Sequence, residues 1–119
     1  MDAFRFRDWK VYQDARILVS EIYQITGNFP QAFQFSLVSQ LNRAALSIVL
    51  NIAEGSGKDS DKELNRFFNI AIGSVNEVVA ALEVALDCKL ISVEVFNKKL
   101  EQLLIISKQL GGFKRKLKS

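Results

Sequence analysis

The sequence predicts an all-α protein, an antiparallel up-down-up-down four-helix bundle. Three observations carry that expectation. Apolar residues recur at helical spacing through most of the chain, and no segment shows a sustained strand alternation. One proline and six glycines leave few interruptions to long helices. The periodic segments are joined by short connections, which makes consecutive helices antiparallel neighbours. At 119 residues the chain suits a single domain spanning 1–119, able to bury about two-thirds of its unfolded surface.

The first helix is expected over about 8–26. Val11, Ala15, Leu18, Ile22 and Ile25 follow a 4-3-4-3 spacing. Gly27-Asn28-Phe29-Pro30 ends it, since Gly suits a C′ position and Pro cannot continue the ladder. The second helix is expected over about 32–54. Leu37, Leu41, Ala44, Ile48 and Ile52 make one stripe, while Leu46, Val49, Leu50 and Ala53 cover another flank.

The third helix is expected over about 61–89. Ser60 and Glu63 form a capping-box pattern ahead of it, and Asp61 and Glu63 suit the positive end of the helix dipole. Leu64, Phe67, Phe68, Ala71, Val75, Val78 and Leu82 run through a broad apolar band. The fourth helix is expected over about 93–111, with Ser92 as its N-cap and Phe96, Leu100, Leu103, Ser107 and Leu110 on one face. Gly111-Gly112 is a natural stop, leaving a basic tail over 112–119.

A helix of a small bundle needs an apolar stripe only about 100° wide. The second helix exceeds that, because only the line Ser36-Gln40-Arg43-Ser47-Asn51-Glu54 is clearly polar. Either it is wedged deeply between neighbours or one flank is a subunit interface, and the second alternative is preferred because large exposed apolar patches are uncommon on monomers. A homo-oligomer is therefore expected. Its candidate packing and assembly residues are Arg43, Ser47, Leu50, Asn51, Glu54, Glu63, Gly73, Ser74 and Glu77. Pairing the second and third helices about Gly55 places Asn51 near Glu63 or Arg66. It also suggests an Arg43–Glu77 ion pair, within or across subunits. Gly73 is read as a point where another helix approaches closely.

Several chemistries lose their usual residues. There is no histidine, which removes the commonest general base, Ser–His and Cys–His pairs, and the Glu-x-x-His ligands of di-iron bundles. The single Cys88 makes no thiolate zinc set and no internal disulfide, and is expected to be a partly buried structural thiol. Gly55-Ser56-Gly57-Lys58 only superficially resembles a phosphate loop. The pattern needs Gly where Ile52 stands and Ser or Thr where Asp59 stands. No catalytic residue, cofactor or metal is assigned, and the chain is expected not to be an enzyme.

Charge is unevenly spread. From Lys98 onward seven basic residues stand against one acidic residue, a net of +6, whereas the remainder carries −3. Lys108, Lys114, Arg115, Lys116 and Lys118 are candidate contacts to RNA or DNA phosphates, which would add sequence-independent affinity. The alternative is a frayed, solvated tail. The N-terminus lacks the apolar region of a signal peptide, and the Ala44-to-Ala53 run is too short to span a bilayer. A cytoplasmic protein with no membrane partner is expected.

The stretch from Gln40 to Glu77 resembles the four-helix-bundle family named for the 23S rRNA intervening sequence. The resemblance rests on Gln40-Leu41, Arg43-Ala44-Ala45, Ser47-Ile48, Asn51-Ile52-Ala53-Glu54-Gly55, Gly57, Ser60, Glu63, Phe67, Ile70-Ala71, Gly73-Ser74 and Glu77. Upstream, Trp9, Ala15, Ile22-Tyr23, Thr26 and Phe29-Pro30 also fit, so the likeness covers about residues 5 to 110. Asn42 and Lys58 replace usual arginines, Ser36 a glycine, Val49 a frequent proline and Leu64 a phenylalanine. The resemblance implies a four-helix bundle and a ring-like homopentamer. Its fold is similar to that of the accessory variability protein of diversity-generating retroelements, a basic pentameric barrel that partners a reverse transcriptase and nucleic acid. It supplies no catalytic residue. The expected role is a non-enzymatic oligomeric scaffold that binds RNA or DNA through basic helix ends. The alternatives are a protein-interaction module without nucleic-acid affinity and, third, an enzyme or sensor with a pocket along a central pore.

Overall fold

The computed structural model describes residues 3–117. Four helices form: α1 (Lys10–Thr26), α2 (Ser39–Ser56), α3 (Asp61–Asp87) and α4 (Val93–Arg115). No strand occurs among the described residues. The longest helix, α3, has 27 residues and rises about 40 Å, close to the 43 Å length of the whole molecule.

Each helix packs on the next in chain order, and α4 closes the square against α1. Cross-links set the directions. Thr26 at the end of α1 donates its hydroxyl to Asn42 Oδ1 near the start of α2, at 3.0 Å. Gly55, late in α2, packs on Leu64 and Phe67, early in α3. Glu21 and Asp14 of α1 bond Gln102 and Gln109 of α4, in reversed order along the two helices. Neighbours therefore run antiparallel. One end of the bundle, the Trp9 end, gathers the starts of α1 and α3 and the ends of α2 and α4.

The core follows from the apolar stripes. Leu18, Ile22, Leu41, Ile48, Ile52, Phe68, Leu82, Leu103, Ile106 and Leu110 are fully buried. Trp9, Phe68 and Phe113 plug the Trp9 end, with Phe113 4.6 Å from the Trp9 ring and 5.0 Å from the Phe68 ring. Arg5 Nε donates to the Ser56 carbonyl at 3.1 Å, placing a cation at the negative end of α2.

Several local expectations are corrected. The approach to α2 is irregular: a 3-10 turn over Gln31–Phe33 and a π-helical turn over Gln34–Val38 precede it. The wide turn buries Val38 and leaves Phe35 93% exposed. Helix α4 continues through Gly111 and Gly112 to Arg115, because each glycine costs about 1 kcal/mol and burying Phe113 against Trp9 and Phe68 offsets it. Gly27 keeps a right-handed conformation, with φ −60°. The left-handed C′ residue is Lys89 instead, with φ 59°. There Leu90 N–H donates to the Ala85 carbonyl at 2.9 Å and Lys89 N–H to the Leu86 carbonyl at 3.0 Å, a Schellman closure of α3. Ser92 caps α4, accepting from Val95 N–H at 3.1 Å.

The Ser60 box forms by half. Glu63 N–H donates to Ser60 Oγ at 3.2 Å, while the Glu63 carboxylate turns to Arg66, also at 3.2 Å. The buried face of α4 is also rotated from expectation. It carries Lys99, Leu103, Ile106 and Leu110, while Leu100 is exposed. Two helical runs, Gln31–Ser56 and Asp61–Asp87, are long and apolar enough to cross a membrane by length and composition. In this bundle both turn an apolar stripe into the core.

Candidate functional site

The α2–α3 seam is built from small polar residues at helical spacing. Ser47 and Asn51 stand one turn apart on α2, and Ser74 faces them from α3. The Ser74 and Ser47 hydroxyls are 2.8 Å apart. Asn51 Nδ2 donates to the Ser47 carbonyl at 2.8 Å and to Ser47 Oγ at 3.0 Å, and Ser74 Oγ lies 3.1 Å from the Ile70 carbonyl. Proton counting closes the set: Ser74 donates to Ile70, Ser47 donates to Ser74, and Asn51 donates to Ser47. Every hydroxyl and amide proton of the three side chains is used, and Asn51 itself borders the groove beside Leu50 and Glu54. Asn51 serves this ladder and does not reach Glu63 or Arg66, which pair with each other.

Outside the seam the expected assembly residues face solvent. Arg43 and Glu77 are both exposed, and neither has a partner among the described residues, so the ion pair does not form within the chain. Both charges stay hydrated there, and an exposed pair gains only about 0–1 kcal/mol. Glu54 approaches Lys58 at 3.8 Å, both on the surface. Between the charges lies apolar surface: Leu50 is 55% exposed and Ile70 42%.

The two glycines exchange roles. A Cβ on Gly73 would meet nothing within 4 Å, whereas one on Gly55 would lie 3.0 Å from both Leu64 Cδ1 and Phe67 Cβ. Gly55 is thus the close-approach glycine, and Gly73 opens onto the outer face. Cys88 is exposed rather than part-buried.

The candidate phosphate-contact residues divide. Lys114 Nζ donates to Asn69 Oδ1, tying α4 to α3. Arg115 folds back along its own helix, its guanidinium beside Gly111 and Gly112. Lys108 and Lys116 are exposed, and Lys118 lies outside the described residues. The fold adds cations that sequence order kept apart. Arg5, Arg7 and Lys10 from the N-terminal segment, and Lys58, Lys62 and Arg66 around the α2–α3 turn, reach the same Trp9 end. Asp8, Asp59, Asp61 and Glu63 are interleaved with them. Two open grooves lie there. One, of about 760 Å³, is lined by Trp9, Lys10, Gln109, Phe113, Arg115 and Lys116. The other, of about 1100 Å³, lies between Phe4, Arg5 and Phe6 and the α2 residues Leu50 and Glu54.

One polar cluster was not anticipated. Lys99 is only 4% exposed, and its ammonium donates to Glu21 Oε1 at 2.7 Å and Gln102 Oε1 at 2.8 Å. Gln102 Nε2 also donates to Glu21 Oε1 at 2.7 Å. Hydrogen bonds from Lys99 and Gln102 hold the Glu21 carboxyl below its ordinary range. Asp14 shifts the same way: burial pushes it up, but bonds from Lys10 and Gln109 outweigh that. The signal was periodicity, since Lys99 sits four residues before Leu103 on the inward stripe of α4.

Comparison with known proteins agrees with this architecture. The family model of the 23S rRNA-intervening sequence protein matches residues 7–112. A crystal structure of a protein of unknown function, from the S23 ribosomal protein family of Bacteroides thetaiotaomicron, superimposes with a TM-score of 0.79 at 23% identity. The match covers 87% of this chain and 97% of that one, and it shows the shared fold. No curated protein matches.

Proposed function

We propose, for a chain that belongs to the 23S rRNA-intervening sequence protein family, a non-enzymatic role as a self-assembling helical scaffold in the cytoplasm. One observation carries the proposal most directly. Leu50 and Ile70 lie exposed on the outer face of the α2–α3 hairpin, beside an open Gly73 and two unpaired charges, Arg43 and Glu77. Burying Leu50 and Ile70 against a second copy stabilises the assembly by removing apolar surface from water, at about 25 cal/mol per Å². The proposed stoichiometry is the pentamer that family resemblance implies. The Trp9 end supplies the proposed contact to RNA or DNA phosphates, multiplied by each copy in the assembly.

The second reading is a protein-interaction module without nucleic-acid affinity. It is favoured by the internal use of two cations: Lys114 is bonded to Asn69, and Arg115 lies along its own helix. Two measurements separate these readings. Light scattering at micromolar concentration should give a mass several times the 13.4 kDa of one chain. Retention of a structured RNA should fall steeply with salt, and Lys108→Gln with Lys116→Gln should weaken it. Assembly without RNA or DNA retention at low salt supports the interaction module. A monomer sinks the scaffold.

A further inference from the structure

A groove of about 760 Å³ runs between the start of α1 and the end of α4. That volume is in the range that holds one small ligand. Trp9, Val11 and Phe113 line it with apolar surface, and Lys10, Arg115 and Lys116 bring exposed cations to it. Asp8 is the one carboxylate among its lining residues. Lys10 is shared with Asp14 at 2.9 Å, but Arg115 and Lys116 meet no carboxylate among the described residues. An apolar wall beside unpaired cations suits an anion that also carries an apolar part.

Two further features belong to the same groove. Gly112 lines it, and a Cβ there would meet Arg115 Nη2 at 3.6 Å and nothing nearer. On Gly111 the nearest atom is Arg115 Nη1, at 3.7 Å. No contact with another helix requires either glycine, although each weakens the interior of α4. The pair instead keeps the helix wall low, and the Arg115 guanidinium lies along it. Gln109 also lines the groove. Its Nε2 donates to Asp14 Oδ2 at 3.0 Å, which fixes the amide and leaves Oε1 buried with no donor. An occupant with an N–H or O–H group beside its anionic group satisfies both features.

A nucleotide combines these properties: a phosphate, a flat base and the hydrogen-bond donors of base and sugar. A duplex offers mainly its phosphates, because its bases are stacked inside, whereas each base of a single strand has a free face. An acidic peptide offers the charge without a flat ring at every unit. We infer that the groove holds an unpaired nucleotide of an RNA or DNA strand, with its phosphate at Arg115 and Lys116 and its base against Trp9 and Phe113. The inference rests on the phosphate contact proposed above for the Trp9 end, and it names the form of strand that end takes.

Trp9 is the only tryptophan in the sequence, so its fluorescence reports on the groove. The full chain is titrated at one low salt concentration with oligouridine, its deoxy counterpart, oligouridine paired with oligoadenosine, uridine monophosphate and poly-glutamate. A single strand should quench Trp9 and bind about tenfold more tightly than the duplex, the worth of one base placed on an aromatic side chain. The tighter of the two strands shows which sugar the groove prefers. Gly112→Leu fills the groove without changing charge. It should lower single-strand affinity about tenfold more than duplex affinity. Circular dichroism checks its fold. If it fails to fold, Arg115→Gln decides, and it should weaken the strand more than the duplex.

Equal binding of strand and duplex overturns the inference and leaves the phosphate contact standing. So does a variant that weakens both equally or neither, and so does mononucleotide or poly-glutamate that binds as tightly as the strand. If neither strand nor duplex binds, the inference and the phosphate contact fall together.

Discussion

Ser47 and Ser74 stand hydroxyl to hydroxyl, 2.8 Å apart, where α2 and α3 come together. The pair lets two helices meet through small side chains, and with Asn51 it satisfies every hydroxyl proton in the seam. Ser47→Ala and Ser74→Ala should each destabilise by about 1 kcal/mol, the net worth of one such bond. The double variant should cost clearly less than the two losses combined, because the residues share a bond. Urea unfolding of the three variants checks this. Strict additivity would show that the contact is incidental.

Gly55 and Gly73 should respond oppositely to the same substitution. At Gly55 an alanine Cβ lies 3.0 Å from Phe67 Cβ, an atom attached directly to the α3 backbone. Gly55→Ala must therefore push the helices apart and should cost about 1–3 kcal/mol. Gly73→Ala meets open space within the chain. It should raise stability by up to about 1 kcal/mol through helix propensity. Thermal unfolding at one protein concentration compares them.

Lys99 and Glu21 should act as a unit. Lys99→Ala leaves the Glu21 carboxylate, itself about one-third exposed, without its ammonium and should cost about 2 kcal/mol, the worth of a hydrogen bond to a charged group, whereas Lys99→Met combined with Glu21→Leu should be near neutral. The pH dependence follows from the lowered Glu21 pKa. The unfolded group protonates near its ordinary value of 4.5, and the folded group lower. The stabilisation is therefore fully present above the unfolded pKa and disappears as pH falls through the folded one. Asp14 contributes in the same direction. Acid unfolding of Glu21→Gln should show a shallower loss below about pH 4.5 than wild type. An unchanged acid limb would refute the coupling.

Lys89 holds the left-handed position that closes α3. Left-handed backbone costs an L-residue about 1–2 kcal/mol, so Lys89→Gly should stabilise by about 1 kcal/mol, less glycine's added unfolded-state entropy. An increase in the urea midpoint is the expected result.

Much of the bundle is legible in the amino-acid sequence. The Val11-to-Ile25 spacing, the Ser60 and Ser92 caps and the Gly55–Gly57 turn are short-range signals, each acting within about one helical turn. The misreadings came where a local rule met a tertiary contact. Gly111-Gly112 reads as a stop until Phe113 finds Trp9 and Phe68. Gly27 reads as a left-handed cap, but the chain bends through Phe29 and Pro30 without one. Lys99 reads as one more surface cation until the rotation of α4 aims it at Glu21.

The sequence by itself determined four helices, their order and the polar line through Arg43, Ser47, Asn51 and Glu54. Periodicity and caps are properties of neighbouring residues, so they survive without the fold. Tertiary structure alone decided what each position on that line does. Ser47 and Asn51 turn inward to Ser74. Arg43 and Glu77 stay outside and unpaired, and Gly55 rather than Gly73 takes the tight contact. Those outcomes depend on the rotation of each helix about its axis and on its height against neighbours, and both are set by packing of the whole core. The same packing brings Lys10 beside Arg115 and Lys116, gathering at one end of the bundle charge that lies far apart along the sequence.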